Sequence, residues 1–336
     1  LEPFLLYQEL ANLYKKNVSH LALEASSHGL DQKRLVGISF CGAVFTNLSH
    51  DHLDYHKNLE EYFKSKKKLF TEYLKPGSIV SINLDDINGL KIFNEIKNKP
   101  YVFVNFGTHK NSELRLIESK HHDKSWYLKI KFKNHLIETT LGMLGEFQVS
   151  NALASAAICI GLNMDPNFVI KSLAYLKSVS GRMQIVDGHP KNALIIIDYA
   201  HTPDALEKAI KSLKIHKKGK LYTLFGCGGN RDTSKRKKMG QVSFENSDFT
   251  IITDDNPRKE NSKNIRNDIL AGCPNGIVIA GRDLAIRKTI KLLNKDDILL
   301  ISGKGHETTQ TIGTESLPFD DFSVARTEIE RLSDEK

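Results

Sequence analysis

The sequence has 336 residues, of which 40% are hydrophobic, and a formal net charge of +8 that comes mostly from lysines spread along the chain. This length suffices for two α/β domains, each with its own core, and no apolar run is long enough to predict a membrane helix. Aromatic and basic residues do not interleave as they do in proteins that read RNA or single strands, and attraction of small polyanionic substrates explains the charge equally well.

Cysteine usage and the start of the chain carry two further expectations. Cys41, Cys159, Cys227 and Cys273 are scattered without metal-ligand spacing, which is typical of reduced thiols in a cytoplasmic protein. No cationic and apolar sequence typical of a signal peptide opens the chain. The first residue is Leu1 rather than Met, and we therefore expect a sequence that lacks its true N-terminus.

Short apolar runs and one amphipathic stretch organise the first half of the chain. Alternating apolar and polar residues from about 101 to 140 predict antiparallel strands appended to a sheet. The other predicted elements are strands at Val18–Ala25, Ala43–Thr46 and Ser78–Asn83 and helices at Glu60–Phe70 and Val149–Ile160.

The second half, after a boundary near Ser178–Gly181, alternates strands and helices in a regular rhythm that predicts a doubly wound, mostly parallel sheet. Its predicted strands are Ala193–Asp198, Leu221–Phe225, Phe249–Thr253, Gly276–Ala280 and Ile298–Ser302. In such sheets, ligand-binding residues lie just past the carboxyl ends of the strands. Polar clusters lie at four of these ends, namely Asp198–His201, Gly226–Asp232, Asp254–Arg258 and Gly303–Glu307, and they favour a binding site there.

In the first half, Glu24 follows one predicted strand and the polar run His50–His56 follows another. Carboxylate and imidazole at neighbouring strand ends can share a divalent cation, although a solvated polar loop is an alternative. A metallo-β-lactamase-like hydrolase is a second alternative, but Tyr55 stands where the pattern His-x-His-x-Asp-His requires its last His. The lysines at 64 and 66–68 are typical of a solvated helix face.

In the second half, the glycine-rich run Gly226–Gly229 predicts either a phosphate-binding loop or a tight turn. Arg231 and Arg258 are suited to bind carboxylate or phosphate, because guanidinium groups bind such anions bidentately. Lys304 does not belong to a Walker A loop, since the preceding Gly-x-x-x-x spacing and the following Ser or Thr are missing.

Six motifs that run in order along nearly the whole chain resemble those of Mur ligases of the MurE type. The motifs are Glu24–His28, Phe45–His56, Asp198–Leu206, Phe225–Asp232, Asp255–Arg258 and Gly303–Glu307. The resemblance implies an α/β fold in two parts. Residues 1–178 would form part of the central ATP-binding domain, a parallel sheet with added antiparallel strands, and residues 179–336 a Rossmann-like doubly wound C-terminal domain.

The resemblance also implies an activity, which is ATP- and Mg²⁺-dependent amide formation in peptidoglycan precursor synthesis. The expected substrates are UDP-N-acetylmuramoyl-L-alanyl-D-glutamate and meso-diaminopimelate, joined through an acyl phosphate. In the family, the arginine corresponding to Arg258 accompanies the use of meso-diaminopimelate rather than L-lysine. A cytoplasmic monomer that neither binds nucleic acid nor inserts into a membrane is expected.

Carried over position by position, the resemblance assigns roles to individual residues. The metal ligands and catalytic residues would be Glu24, His52 and Lys66, with Lys66 carbamylated. The segment that binds the UDP-linked substrate would include Ser27, His28, Gln32 and Arg34. The nucleotide contacts would be Asn151, Arg182, Asp198 and His201, and the pocket for the incoming amino acid would contain Arg231, Asp255, Asn256, Arg258, Gly303 and Glu307.

Two departures from the family pattern matter for these expectations. Gln148 replaces the asparagine that usually follows the phenylalanine corresponding to Phe147. The UDP-binding domain and the P-loop, which in the family precede the position of Leu1, are not in this sequence, so we expect these 336 residues alone to be inactive or nearly so. A folylpolyglutamate synthase and a non-catalytic nucleotide-binding paralogue remain as alternatives.

Overall fold

Helices alternate with parallel strands in a computed structural model that describes residues 3–48, 55–122 and 125–335. The chain divides into two units. The first contains the residues up to Lys120 together with Tyr127–Leu141 and Val149–Ala174, and the second contains His121–Trp126, Gly142–Gln148 and Tyr175–Lys336. None of the helices in the described ranges is both long enough and apolar enough to cross a membrane.

The first unit begins with helices and continues with two small sheets. Its helices are α1 (Pro3–Lys15), α2 (Ser27–Asp31), α3 (Leu59–Thr71), α4 (Ile87–Ile96), α5 (Phe147–Gly161), which starts in the second unit, and α6 (Pro166–Ser172). Its strands are β1 (Phe40–Phe45), β2 (Leu74–Ile82), β3 (Val102–Phe103), β4 (Phe106–Gly107), β5 (Leu114–His122), β6 (Ser125–Phe132) and β7 (His135–Leu141), of which β5 and β6 extend into the second unit.

A three-stranded parallel sheet in the order β1-β2-β3 forms the core of the first unit. Val80 and Ile82 on β2 are fully buried and pack with Phe70 of α3 and Ile92 of α4. Helix α3 begins where Asn58 caps it by accepting a hydrogen bond from the Glu61 N–H at 2.9 Å. The apolar patterns at Ser78–Asn83 and Glu60–Phe70 correctly predicted β2 and α3, whereas α4 was not predicted.

Strands β4 to β7 form a separate four-stranded sheet in the order β4-β5-β6-β7. The prediction of strands between about 101 and 140 is confirmed, but β4 pairs with β5 in parallel rather than antiparallel. Of the strands in this range, β3 joins the first sheet, also in parallel, while β4 to β7 form the second sheet. An isolated bridge between Asn83 and Phe106 links the end of β2 to β4.

The predicted strand at Val18–Ala25 is wrong, because the structure assigns no strand between Asn17 and Ser26. Leu21 and Leu23, which belong to the short apolar run that suggested a strand, are 52% and 38% exposed. A strand needs a neighbour for its backbone N–H and C=O groups, and the described residues provide none along this segment.

The second unit contains a six-stranded sheet in the order β12-β11-β10-β13-β9-β8, parallel except for the antiparallel pairing of β8 with β9. Its strands are β8 (Gln184–Val186), β9 (Leu194–Asp198), β10 (Leu221–Phe225), β11 (Phe249–Ile252), β12 (Ile277–Val278) and β13 (Ile298–Ser302), with the hairpin β14 (Thr309–Ile312) and β15 (Glu315–Pro318). Its helices are α7 (Pro203–Lys214), α8 (Ser234–Asn246), α9 (Ser262–Leu270), α10 (Arg282–Leu292) and α11 (Asp321–Asp334).

Two apolar cores lie on opposite faces of this sheet. Along β13, Ile298 and Leu300 belong to one core and Leu299 and Ile301 to the other, as the alternation of side chains along a strand requires. A strand buried on both faces is a continuous apolar run. The regular alternation of such strands with helices along the sequence correctly predicted the doubly wound arrangement.

Candidate functional site

In the first unit, the segment around Glu24 is held against α3 by two hydrogen bonds to its backbone. Lys66 Nζ donates to the carbonyl oxygen of Ala25 at 3.0 Å, and Ser65 Oγ donates to that of Ser27 at 2.8 Å. Glu24 itself is exposed. The structure therefore brings the Lys66 side chain to the residue next to Glu24, as the metal-site prediction requires.

The third predicted metal ligand, His52, lies outside the described residues. Across residues 3–48, 55–122 and 125–335, no group of three or more His, Cys, Asp and Glu side chains is arranged to hold a metal ion. The predicted set would not form such a group here, since it draws on Lys66 and on His52. Converting the Lys66 amine to a carbamate would add anionic oxygen atoms beside Glu24, and Mg²⁺ prefers oxygen ligands.

Helix α2 carries the residues predicted to contact the UDP-linked substrate. Ser26 caps the helix by accepting a hydrogen bond from the Gly29 N–H at 3.1 Å, and the next residue, Ser27, is fully buried. Gln32 ends the helix and is exposed, while Arg34 is half-buried. The Ser27 hydroxyl lacks a hydrogen-bond partner among the described residues, so its substrate contact stays a prediction.

His28 lies within a group of rings and charges that sequence analysis missed. Its ring centroid is 4.0 Å from that of Tyr55 and 5.7 Å from that of His56. The Tyr55 hydroxyl donates to Asp31 Oδ2 at 3.0 Å, and Lys68 Nζ donates to Oδ1 at 2.9 Å. These two hydrogen bonds, chiefly the one from Lys68, lower the pKa of Asp31. Lys68 is therefore part of a surface ion pair with Asp31 and is not merely a solvated lysine of the helix face.

Three of the predicted nucleotide contacts lie together in the second unit, around Tyr199. The Arg182 guanidinium lies 4.4 Å from the centroid of the Tyr199 ring, and the His201 ring lies 4.6 Å from it. Asp198 precedes Tyr199 at the end of β9. The fourth predicted contact, Asn151, lies on an exposed part of α5 in the first unit.

The Asp198 carboxylate is buried and its oxygen atoms bond to the backbone. Oδ2 accepts from the Met183 N–H at 2.9 Å and Oδ1 from the Ala200 N–H at 2.8 Å. Burial raises the pKa of Asp198, and these two hydrogen bonds oppose that rise. The side chain thus connects the start of β8 to the end of β9, and its contact with a ribose stays a prediction.

Asn256, Lys304 and Glu307 form a polar network at the carboxyl ends of β11 and β13, in which Asn256 and Lys304 are buried and Glu307 is half-buried. Lys304 Nζ donates to Asn256 Oδ1 at 3.0 Å and to Glu307 Oε2 at 2.9 Å. Asn256 Nδ2 donates to the same Oε2 at 2.9 Å. Two of these residues were predicted from sequence. Lys304 was not assigned a role because the surrounding glycines do not form a Walker A loop.

Arg258 has a backbone φ of 51°, in the region that non-glycine residues seldom adopt. The hairpin holds it there, since the Arg258 N–H donates to the Thr311 carbonyl at 3.0 Å and the Gly313 N–H donates to the Arg258 carbonyl at 2.8 Å. Its Nη1 donates to the Gly229 carbonyl at 3.0 Å. The hairpin β14-β15, which no sequence pattern predicted, therefore sets the course of the Asp255–Arg258 loop.

The remaining predicted pocket residues flank this loop. Gly303 has a φ of 114°, and a Cβ atom there would lie 3.0 Å from Asp255 Oδ2, so glycine satisfies both the backbone and the close approach. Arg231, on the glycine-rich loop after β10, is exposed. In the same loop, burial raises the pKa of Cys227 to about 12, which keeps this thiol protonated at neutral pH.

Comparison with known proteins places these clusters in a family context. Residues 2–159 match the model of the Mur ligase middle domain, and residues 181–305 match that of the Mur ligase, glutamate ligase domain. UDP-N-acetylmuramoyl-L-alanyl-D-glutamate–2,6-diaminopimelate ligases from Bradyrhizobium diazoefficiens and Rickettsia bellii are 41% and 43% identical. Each alignment covers 96% of this chain, and it covers 67% and 68% of the two relatives, respectively.

A solved structure of a ligase with the same name is also similar. It is 32% identical with a TM-score of 0.66, and the alignment covers 99% of this chain and 69% of that one. The chain thus spans about two thirds of the length of these relatives.

Proposed function

Because the chain belongs to the Mur ligase family, we propose that it joins meso-diaminopimelate to UDP-N-acetylmuramoyl-L-alanyl-D-glutamate at the expense of ATP. The similar ligases bear names that specify this nucleotide-linked dipeptide and 2,6-diaminopimelate. The product would be the UDP-linked tripeptide of peptidoglycan precursor synthesis, and the reaction would take place in the cytoplasm, where the chain would act as a monomer.

The arrangement of Asn256, Arg258 and Glu307 is the observation that carries this proposal. Arg258 Nη1 lies 3.5 Å from the Asn256 carbonyl oxygen, and the Asn256 side chain bonds to Glu307. Asn256 therefore contacts the Arg258 guanidinium through its backbone carbonyl and the Glu307 carboxylate through its side-chain amide. This combination suits a ligand that carries both ammonium and carboxylate groups.

Arg258 supports meso-diaminopimelate over L-lysine as the amino acid. Diaminopimelate carries a carboxylate at its distal end, which a guanidinium group can bind bidentately. L-Lysine has no such group, and it would leave the half-buried Arg258 without an anionic partner. We propose that Asp255, Gly303 and Arg231 complete this pocket.

Glu24, His52 and carbamylated Lys66 would hold Mg²⁺ in the first unit. Lys66 Nζ lies 3.0 Å from the Ala25 carbonyl oxygen, next to Glu24, so a carbamate on Lys66 together with the Glu24 carboxylate would supply the oxygen ligands that Mg²⁺ prefers. Bound Mg²⁺ would neutralise negative charge on the transferring phosphoryl group. Asn151, Arg182, Asp198 and His201 would position the nucleotide, and Ser27, His28, Gln32 and Arg34 the UDP-linked substrate.

The proposed chemistry has two steps. An oxygen atom of the D-glutamate carboxylate attacks the γ-phosphorus of ATP, which releases ADP and forms an acyl phosphate. The amine of diaminopimelate then attacks the acyl carbon, and inorganic phosphate and a proton leave as the amide bond forms. The residues of this chain contribute mainly by positioning and by electrostatic stabilisation.

The test is an ADP-release assay on the protein expressed from its complete coding sequence, with ATP, Mg²⁺ and the UDP-linked dipeptide. We expect ADP formation that depends on meso-diaminopimelate and is at least about tenfold slower with L-lysine at the same concentration. Equal rates with both amino acids would contradict the proposed substrate. If no ADP forms with either amino acid, the proposed function is wrong.

A further inference from the structure

Lys304 is an ammonium group enclosed in the second unit, with a side chain that is 0% exposed. It follows Gly303 at the end of β13, beside the pocket proposed for the incoming amino acid. A buried charge is unfavourable unless it is paired and hydrogen-bonded. Lys304 Nζ has two such partners, Asn256 Oδ1 at 3.0 Å and Glu307 Oε2 at 2.9 Å.

The bonds to Asn256 fix the orientation of its amide group. Oδ1 accepts from Lys304 Nζ and from the Thr311 N–H, both at 3.0 Å. With the oxygen facing two donors, Nδ2 points the other way and gives one of its two hydrogens to Glu307 Oε2 at 2.9 Å. Among the described residues, Nδ2 has no other acceptor, so its second hydrogen can be donated to a ligand.

The same bonds divide the Glu307 carboxylate into an inner and an outer oxygen. The inner oxygen, Oε2, accepts from both Lys304 and Asn256. The outer oxygen, Oε1, accepts no hydrogen bond from the residues that the structure describes, and the side chain is 35% exposed. Oε1 is therefore able to accept a hydrogen bond from a ligand, while Oε2 is already hydrogen-bonded within the protein.

We propose that Lys304 is a positioning residue for amino-acid recognition, acting through Glu307 and Asn256. It holds Oε2 and Oδ1 on the inner side, so that Oε1 can accept from a ligand ammonium and Nδ2 can donate to a ligand carboxylate. An acceptor and a donor side by side match the ammonium and carboxylate on one carbon of an α-amino acid. This inference rests on the proposed function, which assigns Asn256 and Glu307 to the incoming diaminopimelate.

A purely structural role for Lys304, in which it only neutralises the half-buried Glu307 carboxylate, predicts a different outcome. In that case its removal would lower stability without selectively changing amino-acid recognition.

The matched set of variants is Lys304→Met, Lys304→Arg, Glu307→Gln and the double variant Lys304→Met/Glu307→Gln, with Lys295→Met as a control at an exposed lysine of the same unit. The double variant removes both charges and keeps the test usable if Lys304→Met alone does not fold.

The first measurement is the crystal structure of these variants, which does not depend on any ligand. In Lys304→Met, or in the double variant if the single one does not fold, we expect the side chains at 256 and 307 to move by more than about 0.5 Å from their wild-type positions, a displacement that matters for a binding site. Unchanged positions for both side chains would overturn the proposal.

The second measurement is steady-state ADP release on protein from the complete coding sequence. For Lys304→Met we expect the KM for meso-diaminopimelate to rise at least about tenfold, while the KM for ATP changes less than about twofold. Added to Glu307→Gln, Lys304→Met should raise that KM by less than about twofold, because both changes act on the same contact. Lys304→Arg should recover part of the loss, and Lys295→Met should match wild type.

The opposite kinetic results would overturn the proposal. One such result is a KM for diaminopimelate in Lys304→Met that equals the wild-type value. The other is a KM in the double variant that rises by the product of the two single-variant increases. If the wild-type protein forms no ADP with diaminopimelate, the proposed function fails, and the crystal structures alone then decide whether Lys304 positions Glu307.

Discussion

The two units hold their candidate site residues in different ways. In the second unit, Asn256, Lys304 and Glu307 are bonded to one another, and the loop that carries Arg258 is bonded to a hairpin. In the first unit, Glu24 is exposed on a segment without regular structure, and Lys66 reaches a backbone carbonyl beside it.

This difference indicates that the candidate site residues of the second unit are held in place by the protein's own hydrogen bonds, whereas those of the first unit are not. The proposed amino-acid pocket is organised by side chains that hydrogen-bond to one another, so substitutions beneath it should lower both stability and amino-acid recognition. The proposed metal site would depend on modification of Lys66 and on a bound cation, so substitutions there should affect activity with little change in stability. The predictions below test this contrast.

Replacing Arg282 by Met should produce the largest loss of stability in the second unit. Arg282 and Asp321 are both 0% exposed and are joined by two hydrogen bonds of 2.7 Å, and Arg282 also donates to the Ser302 carbonyl at the end of β13. Removing the guanidinium leaves a buried carboxylate unpaired, which should lower the free energy of unfolding by about 3–5 kcal/mol. Urea denaturation of the 336-residue chain measures it.

The matched control is Lys208→Met, which removes an exposed pair with Asp204 and should change the unfolding free energy by less than about 1 kcal/mol. If both variants lose a similarly small amount of unfolding free energy, the Arg282–Asp321 pair does not stabilise the end of β13.

Replacing Lys66 by Ala should abolish most activity without a comparable loss of stability. If a carbamate on Lys66 helps to hold Mg²⁺, ADP formation should fall at least about a hundredfold, and short carboxylic acids such as acetate should restore part of it. Lys64→Ala is the control, because Lys64 lies on the same helix, is exposed and pairs with Glu60 at 3.7 Å. Equal activity of the two variants would remove Lys66 from the metal site.

Replacing Arg258 by Lys should weaken the preference for diaminopimelate. A lysine ammonium cannot bind the distal carboxylate bidentately, so kcat/KM for meso-diaminopimelate should fall roughly 10- to 100-fold, with a smaller change for L-lysine. Lys259→Ala, at the exposed neighbouring position, should leave both values near wild type. A parallel fall for both amino acids in Arg258→Lys would show that Arg258 shapes the loop and does not select the substrate.

Sequence patterns predicted the second unit better than the first, for a physical reason. Strands Leu221–Phe225 and Ile298–Ser302 match their predictions at both ends, because a strand buried on both faces is a short apolar run with sharp limits. In the first unit, Val18–Ala25 has an apolar pattern of the same kind, but without a neighbouring strand among the described residues it remains irregular.

The sequence predicted the separate motifs of the candidate site but not the contacts between them. The clusters after β9, β10, β11 and β13 follow from the rule that such strand ends bind ligands, but the contacts between clusters do not. Lys304 bonds to a residue 48 positions away, and Thr311 supports Asn256 across 55 positions. Local spacing contains no signal for such pairs, and the polar residues of the hairpin do not distinguish a strand from a loop.

The smallest effect should come from acid titration of Glu260, which follows the Asp255–Arg258 loop in sequence and accepts a hydrogen bond from the Asn230 N–H. Arg236 donates to both oxygens of Glu260 at 2.6 and 2.8 Å, and these bonds lower the pKa of Glu260 to about 2 from an ordinary value of 4.5. A carboxylate whose pKa is lower in the folded state stabilises the fold above pH 4.5, and this contribution is lost as the pH falls towards 2.

Glu260→Gln should therefore lower the free energy of unfolding by roughly 1–2 kcal/mol at pH 7, and the difference from wild type should shrink between pH 4.5 and about 2. Urea denaturation across this range measures the difference, with Glu207→Gln, at a surface pair with Lys211, as the control. A difference that stays constant with pH would mean that the Arg236–Glu260 pair does not contribute through its charge. The loop around Arg258 would then be held by the hairpin rather than by this ion pair.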